Sequence, residues 1–129
     1  MIRRLVATAL AGAVVAAGGV AQAVPGAAQR TPSIAIVGWK VSKHNVTLKV
    51  KITGWRMVAA RTGPGAKFGV GHWEIFANGS YAGYSTNPST GTVTGLPTGI
   101  CRIHVELARR DFTRPSPPVR SRTIVVRIP

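Results

Sequence analysis

The sequence predicts an all-β fold: one antiparallel β-sandwich of immunoglobulin-like type, with about seven strands. Three observations predict it. Within residues 45–54, Val46, Leu48, Val50 and Ile52 alternate with Thr47, Lys49, Lys51 and Thr53, the period of a strand with one buried and one solvated face. Further short apolar phases follow, each closed by a turn containing Gly, Pro or Asn. Beyond residue 23, no stretch carries a 3.6-residue apolar repeat over three turns, so nothing reads as an amphipathic helix. The paired cysteines that flank a tryptophan in antibody domains are absent. A small open β-barrel is the alternative architecture.

The elements follow in order. Residues 1–23 read as a secretory signal peptide: Arg3 and Arg4 precede an apolar run of Ala, Val and Gly, and Ala21-Gln22-Ala23 forms an A-x-A cleavage site. A membrane anchor is the competing reading, but the run is short, Gly-rich and followed by that site. Residues 24–32 form a linker, and residues 33–129 the β-sandwich domain. What remains after cleavage is enough for one core, with no later segment apolar and long enough to span a bilayer. The expected location is therefore secreted or extracytoplasmic.

The first strand runs over residues 33–41 and the second over 45–54. Residues 55–71 break the alternation, hold Arg56, Arg61 and Lys67, and turn at Gly63-Pro64-Gly65, so they read as a long basic loop. Residues 72–77 and 80–85 flank Asn78-Gly79, a pair that tolerates the positive φ angles of a type I′ hairpin. Residues 87–91 form a turn, 92–94 a short strand, and 96–99 another turn. Residues 100–108 form a long strand with Cys101, Ile103, Val105 and Leu107 in one phase. Residues 109–118 hold Pro115, Pro117 and Pro118 and read as extended and irregular. Residues 122–128 close the domain. The expected core is Leu48, Val50, Trp73, Ile75, Ile103, Val105, Leu107, Ile124 and Val126.

The runs Gly71-His72-Trp73-Glu74-Ile75-Phe76-Ala77-Asn78-Gly79, Thr94-Gly95-Leu96-Pro97-Thr98-Gly99 and Val105-Glu106-Leu107, with Asp111, resemble a group of uncharacterised exported bacterial β-sandwich domains. That pattern is roughly G-H-x-H-x-x-x-x-G, then G-L-x-x-G, then H-x-x-x-V-E-L, with N-D-H near the end. The likeness covers about residues 70–128. It implies an immunoglobulin-like sandwich and export. Glu74 stands where the pattern has its second His, Cys101 near its strand His, and Asp111-Phe112 at its D-H pair, so no ligand role for those histidines carries over.

Charge narrows the partners. The chain carries a net charge of +14, and its three acids are Glu74, Glu106 and Asp111. Without Arg3 and Arg4 the balance is still about +12, a field that draws polyanions and repels cations. The basic residues are dispersed, with no run longer than two, unlike a dedicated nucleic-acid arm, and no specific nucleic acid is expected. Cys101 is the single cysteine, so no internal disulfide forms, and its phase marks it as a buried thiol.

One constellation stands out. His72-Trp73-Glu74 and His104-Val105-Glu106 repeat H-x-E on two strands, and residues two apart share a face. With Trp73, Ile75, Ile103 and Val105 inward, His72, Glu74, His104 and Glu106 are expected on one solvent-exposed face. Two imidazoles and two carboxylates suit zinc, nickel or copper(II). The simpler alternative is that the glutamates pair with Arg102 or a nearby lysine on an ordinary polar face. His44 reads as a structural turn residue.

Catalytic residues are not expected. There is no G-x-S-x-G elbow, no P-loop and no Cys–His zinc framework. Cys101 and His104 fall on opposite strand faces, which parts nucleophile from base. A binding surface has more support. Arg56, Arg61, Lys67, Arg109, Arg110, Arg114, Arg120 and Arg122 form the expected anion-binding rim, with Lys49 and Lys51 on a strand face. Trp39, Trp55, Tyr81 and Tyr84 are candidate stacking platforms, unless they fill the core. The expected function is an exported, non-catalytic module engaging an anionic polymer or acidic surface at the cell envelope, with no resident cofactor. The alternatives are an extracytoplasmic divalent-metal binder and a structural accessory domain.

Overall fold

Strand alternation carries through into the computed structural model, which describes residues 30–129; the expected signal peptide, residues 1–23, and most of the expected linker lie outside the described residues. Eight strands and no helix are present among the described residues. They are β1 (Ser33–Ser42), β2 (Asn45–Thr53), β3 (Arg56–Met57), β4 (Val70–Ala77), β5 (Ser80–Ser85), β6 (Thr90–Val93), β7 (Gly99–Arg109) and β8 (Ile124–Ile128). They form two sheets that do not close into a barrel, which removes the barrel alternative.

The smaller sheet has the order β1-β2-β6, antiparallel throughout. The larger has the order β3-β4-β7-β8, and β5 also pairs with β4. β3 and β5 share one edge of β4: β3 runs parallel beside Val70 and Gly71, and β5 antiparallel along residues 73–77. The β4–β5 hairpin turns at Asn78 (φ 51°) and Gly79 (φ 84°), both left-handed, as a type I′ turn requires.

The inner faces of both sheets share one core. Ile34, Ile36, Val46, Leu48, Val50 and Val93 come from the smaller sheet. Trp73, Ile75, Cys101, Ile103, Val105, Leu107, Ile124, Val126 and Ile128 come from the larger. Every expected core residue is buried, while Lys49 and Lys51 are exposed, so the alternation read along β2 has the correct phase. Each such Leu, Ile or Val contributes about 1.5–3 kcal/mol through burial. Trp73 lies across the core, its Nε1 donating to Asn87 O at 2.7 Å. Gly91 on β6 faces it with no space for a side chain: a Cβ there would stand 2.5 Å from Trp73 Cη2.

The structure corrects four boundaries, the first at β4, which begins at Val70, two residues before the expected start. The long basic loop contains β3, two residues that no periodicity could reveal, secured by Arg56 N–H to Gly69 O at 2.8 Å. β6 begins two residues earlier than expected because the preceding turn closes sooner: Asn87 Oδ1 accepts from the Ser89 and Thr90 amides. β8 begins two residues later, at Ile124. His44 is structural, with Nδ1 2.7 Å from Leu96 O.

Candidate functional site

The outer face of the larger sheet holds both H-x-E motifs. Trp73 and Ile75 enter the core from β4, so His72, Glu74 and Phe76 share the opposite face. Ile103, Val105 and Leu107 do the same on β7, leaving His104 and Glu106 beside them. The shared face is as expected; its arrangement and exposure are not.

Register sets the arrangement. Glu74 lies opposite Glu106, His72 opposite Ala108, and His104 opposite Phe76. The carboxylates therefore meet at the centre while the imidazoles stand at opposite diagonal ends. Like charges directly opposed across strands are destabilising. Arg114 supplies the compensation: Nη1 donates to Glu74 Oε1 at 2.8 Å, and Nε lies 3.6 Å from Glu106 Oε1. Arg120 Nη2 lies 3.4 Å from Glu106 Oε2, and His104 Nε2 2.8 Å from the same oxygen. The expected partner Arg102 takes no part; the glutamates use Arg114 and Arg120, which come from the next segment of chain.

That segment also corrects the exposure. Leaving β7, the chain turns at residues 110–113 and returns along the sheet. The Leu107 amide donates to Val119 O and the Ser121 amide to Val105 O, each at 2.9 Å. Phe112 comes to 4.7 Å from the His72 ring, Tyr84 of β5 to 5.1 Å, and these two aromatics meet edge to face at 5.2 Å. His72 is 0% and Glu74 1% exposed, Glu106 is buried, and His104 is only partly covered. His104 stacks on Phe76 at 4.9 Å and 6°. Neither His72 ring nitrogen has a hydrogen-bond partner; Nε2 lies 3.5 Å from Glu74 Oε2 without hydrogen-bond alignment. Alternation along a strand says which face a residue takes, not whether another segment lies on that face.

This arrangement offers no gathered ligand set. Among the described residues, no three His, Cys, Asp or Glu side chains could hold a metal ion. The diagonal register separates the two imidazoles, and a guanidinium occupies the space between the two carboxylates. Cys101 is buried in the core, away from His104, and burial pushes its thiol above the usual range.

The expected cationic rim divides in two. Arg109, Arg110, Arg114 and Arg120 are tied to the protein. Arg109 Nη1 donates to Thr113 Oγ1 and Arg114 O, at 3.3 and 3.2 Å. Arg110 donates to Arg61 O and Pro64 O, fastening the long loop to the end of β7. Arg56, Arg61, Lys67 and Arg122 are exposed, and their side chains form no ion pair among the described residues. Arg61, Lys67 and Arg110 line one cavity of about 300 Å³. Arg102, His104 and Arg120 line another of about 450 Å³, a grouping that only the turn at Asn78-Gly79 and the return of residues 119–123 create. Asp111 accepts from Thr113 Oγ1 at 2.6 Å and from the Thr113 amide at 3.1 Å, which holds its carboxyl below the usual range, helped by Arg110. Of the candidate platforms, Trp55 is buried with Nε1 donating to Ala108 O, whereas Trp39, Tyr81 and Tyr84 are exposed.

Comparison with protein-family models, curated proteins and solved structures finds no match to this chain.

Proposed function

We propose that the chain is an exported, non-catalytic binding module that engages an anionic polymer or acidic surface at the cell envelope. One observation carries the reading: both glutamates are withdrawn beneath residues 110–121 and neutralised there by Arg114 and Arg120. Asp111 is tied to Thr113. Lys40, Lys49 and Lys51 on one sheet, Arg61 and Lys67 on the loop, Arg102 and Arg127 on the other sheet, and Arg122 just before β8 are left exposed without a compensating acid. A surface of one sign raises the local concentration of oppositely charged polymer.

The signal-like residues 1–23 support export. Arginine neutralisation of the facing carboxylates speaks against a general-acid pair and supports a non-catalytic role. The strand orders β1-β2-β6 and β5-β4-β7-β8 support the immunoglobulin-like assignment, since they follow A-B-E and C′-C-F-G. Trp73 then occupies strand C and Cys101 strand F.

The test is retention on immobilised polyphosphate at low salt. Exposed lysines and arginines can be reversed without touching the core, so the variant Lys49→Glu/Lys51→Glu/Arg102→Glu keeps its fold and loses about tenfold or more in affinity. Wild-type retention no greater than on an uncharged matrix overturns the reading and leaves a structural accessory role.

A further inference from the structure

The cavity of about 450 Å³ on the outer face of the larger sheet is lined by Asn78, Gly79, Arg102, His104, Arg120 and Thr123. Strand pairing sets its charged side chains on one face. Arg102 and His104 alternate along β7 with the core residues Cys101, Ile103 and Val105, so both face outward. Arg120 pairs with Glu106 across an isolated bridge and shares that face. Its Nη2 lies 3.4 Å from Glu106 Oε2, and His104 Nε2 lies 2.8 Å from the same oxygen. Glu106 is buried, is shared with Arg114 and does not line the cavity; it holds two of the lining side chains from behind. At the hairpin turn the Asn78 amide donates to Arg102 O at 2.7 Å, and the Arg102 amide donates to Asn78 Oδ1 at 2.9 Å. With Oδ1 engaged in this way, the Asn78 side chain keeps its NH2 group as a donor. The Arg102 guanidinium is exposed and in no ion pair among the described residues, and Thr123 is exposed beside it.

We infer that this cavity is a subsite for a phosphate group, held between the Arg102 and Arg120 guanidinium groups with the Asn78 side-chain amide and the Thr123 hydroxyl as further donors. The inference rests on the polyanion reading above and names the acidic group. A carboxylate has two oxygens in one plane, and a single guanidinium fork satisfies both. Donors on four side chains, from the turn, from β7 and from the returning segment, suit an anion whose oxygens are disposed tetrahedrally. The exposed lysines of the smaller sheet offer point charges without forks. Glu106 is a positioning residue here, since it touches Arg120 and His104 and stays off the cavity wall.

The experiment is an NMR titration of the exported protein with inorganic phosphate, with pH fixed and ionic strength held constant by sodium chloride. Saturable shifts are expected at Asn78, Arg102, Arg120 and Thr123, with none at Lys40, Lys49 or Lys51. Acetate, the planar comparison, should bind about tenfold more weakly. Arg102→Lys keeps the charge but loses the fork and should weaken phosphate binding about tenfold, its fold checked by thermal unfolding. Polyphosphate should bind more tightly than inorganic phosphate, because neighbouring cations join in; equal affinity would assign the free ion as the source and leave the site standing. Shifts that do not saturate, shifts of equal size at the lysines of the smaller sheet, acetate bound as well as phosphate, or an unchanged affinity in Arg102→Lys overturns the inference, while retention of the wild type on polyphosphate leaves the general reading standing. A wild type that shows no shifts with phosphate and no retention on polyphosphate overturns the general reading itself, before any variant is compared.

Discussion

Replacing Arg114 with alanine removes the cation that holds two opposed carboxylates on the same sheet face. The cost follows from the geometry. A hydrogen bond to a charged group contributes about 1.5–3 kcal/mol, and Arg114 makes one at 2.8 Å to Glu74, which is 1% exposed. Stranding a fully buried charge costs about 3–5 kcal/mol. Arg114 is itself 44% exposed, so water can enter the vacated space and reduce that figure. The contact to Glu106 is 3.6 Å, long for a hydrogen bond, and adds less. The expected loss is about 2–3 kcal/mol, or roughly 10–20 °C in Tm for a domain of this size. Urea unfolding measures it as a fall in midpoint with unchanged slope. Arg114→Lys, which keeps the charge but not the fork, should recover part of the loss. Glu74→Gln in the Arg114→Ala background should recover about 1–2 kcal/mol, since it removes the stranded charge. A loss below about 0.5 kcal/mol would place these contacts among ordinary surface pairs and refute the claim that the returning segment is secured by the buried glutamates.

Three further outcomes are expected. His72→Phe should keep or raise stability by about 1 kcal/mol, because it removes two buried, unpartnered ring nitrogens from an aromatic enclosure; a large loss in unfolding experiments would show that those nitrogens find partners. Asp111 has a lowered pKa in the folded state, so its contribution to the 110–113 turn is complete above the ordinary carboxylate range and fades as pH falls through that range towards the lowered value; protection of the Thr113 amide, taken relative to its intrinsic exchange rate at each pH, should fall over that interval, and in Asp111→Asn this pH-dependent fall should vanish. Exported protein should begin at Val24, and intact-mass measurement showing Met1 retained on membrane-bound material would contradict export.

The parts of the fold legible in the sequence are those where neighbouring residues decide. Val46 to Ile52 alternate because every second side chain of β2 enters the core, and Asn78-Gly79 is a hairpin because both residues accept positive φ. The phase of His72, Glu74, His104 and Glu106 was legible for the same reason. What lies over them was not. Register between β4 and β7 depends on strand pairing across the domain, and it alone brings Glu74 to Glu106 and sends the histidines to opposite ends. Residues 109–118 look irregular because their order comes from long-range contacts: Phe112 against His72 and Arg114 against Glu74. One sign was present. Two of only three acids fall two residues after a histidine on paired strands, and in so basic a chain an acid placed on a sheet face calls for an arginine above it.

The central claim, that withdrawal of the glutamates leaves an uncompensated cationic surface for polyanions, is tested most directly by the salt dependence of binding. Affinity of the wild type for polyphosphate, measured by titration calorimetry between 50 and 200 mM sodium chloride, should fall linearly in log–log form with a slope of several units, since each neutralised phosphate releases close to one counterion. A slope near zero over that roughly fourfold range, with binding still present, would contradict it.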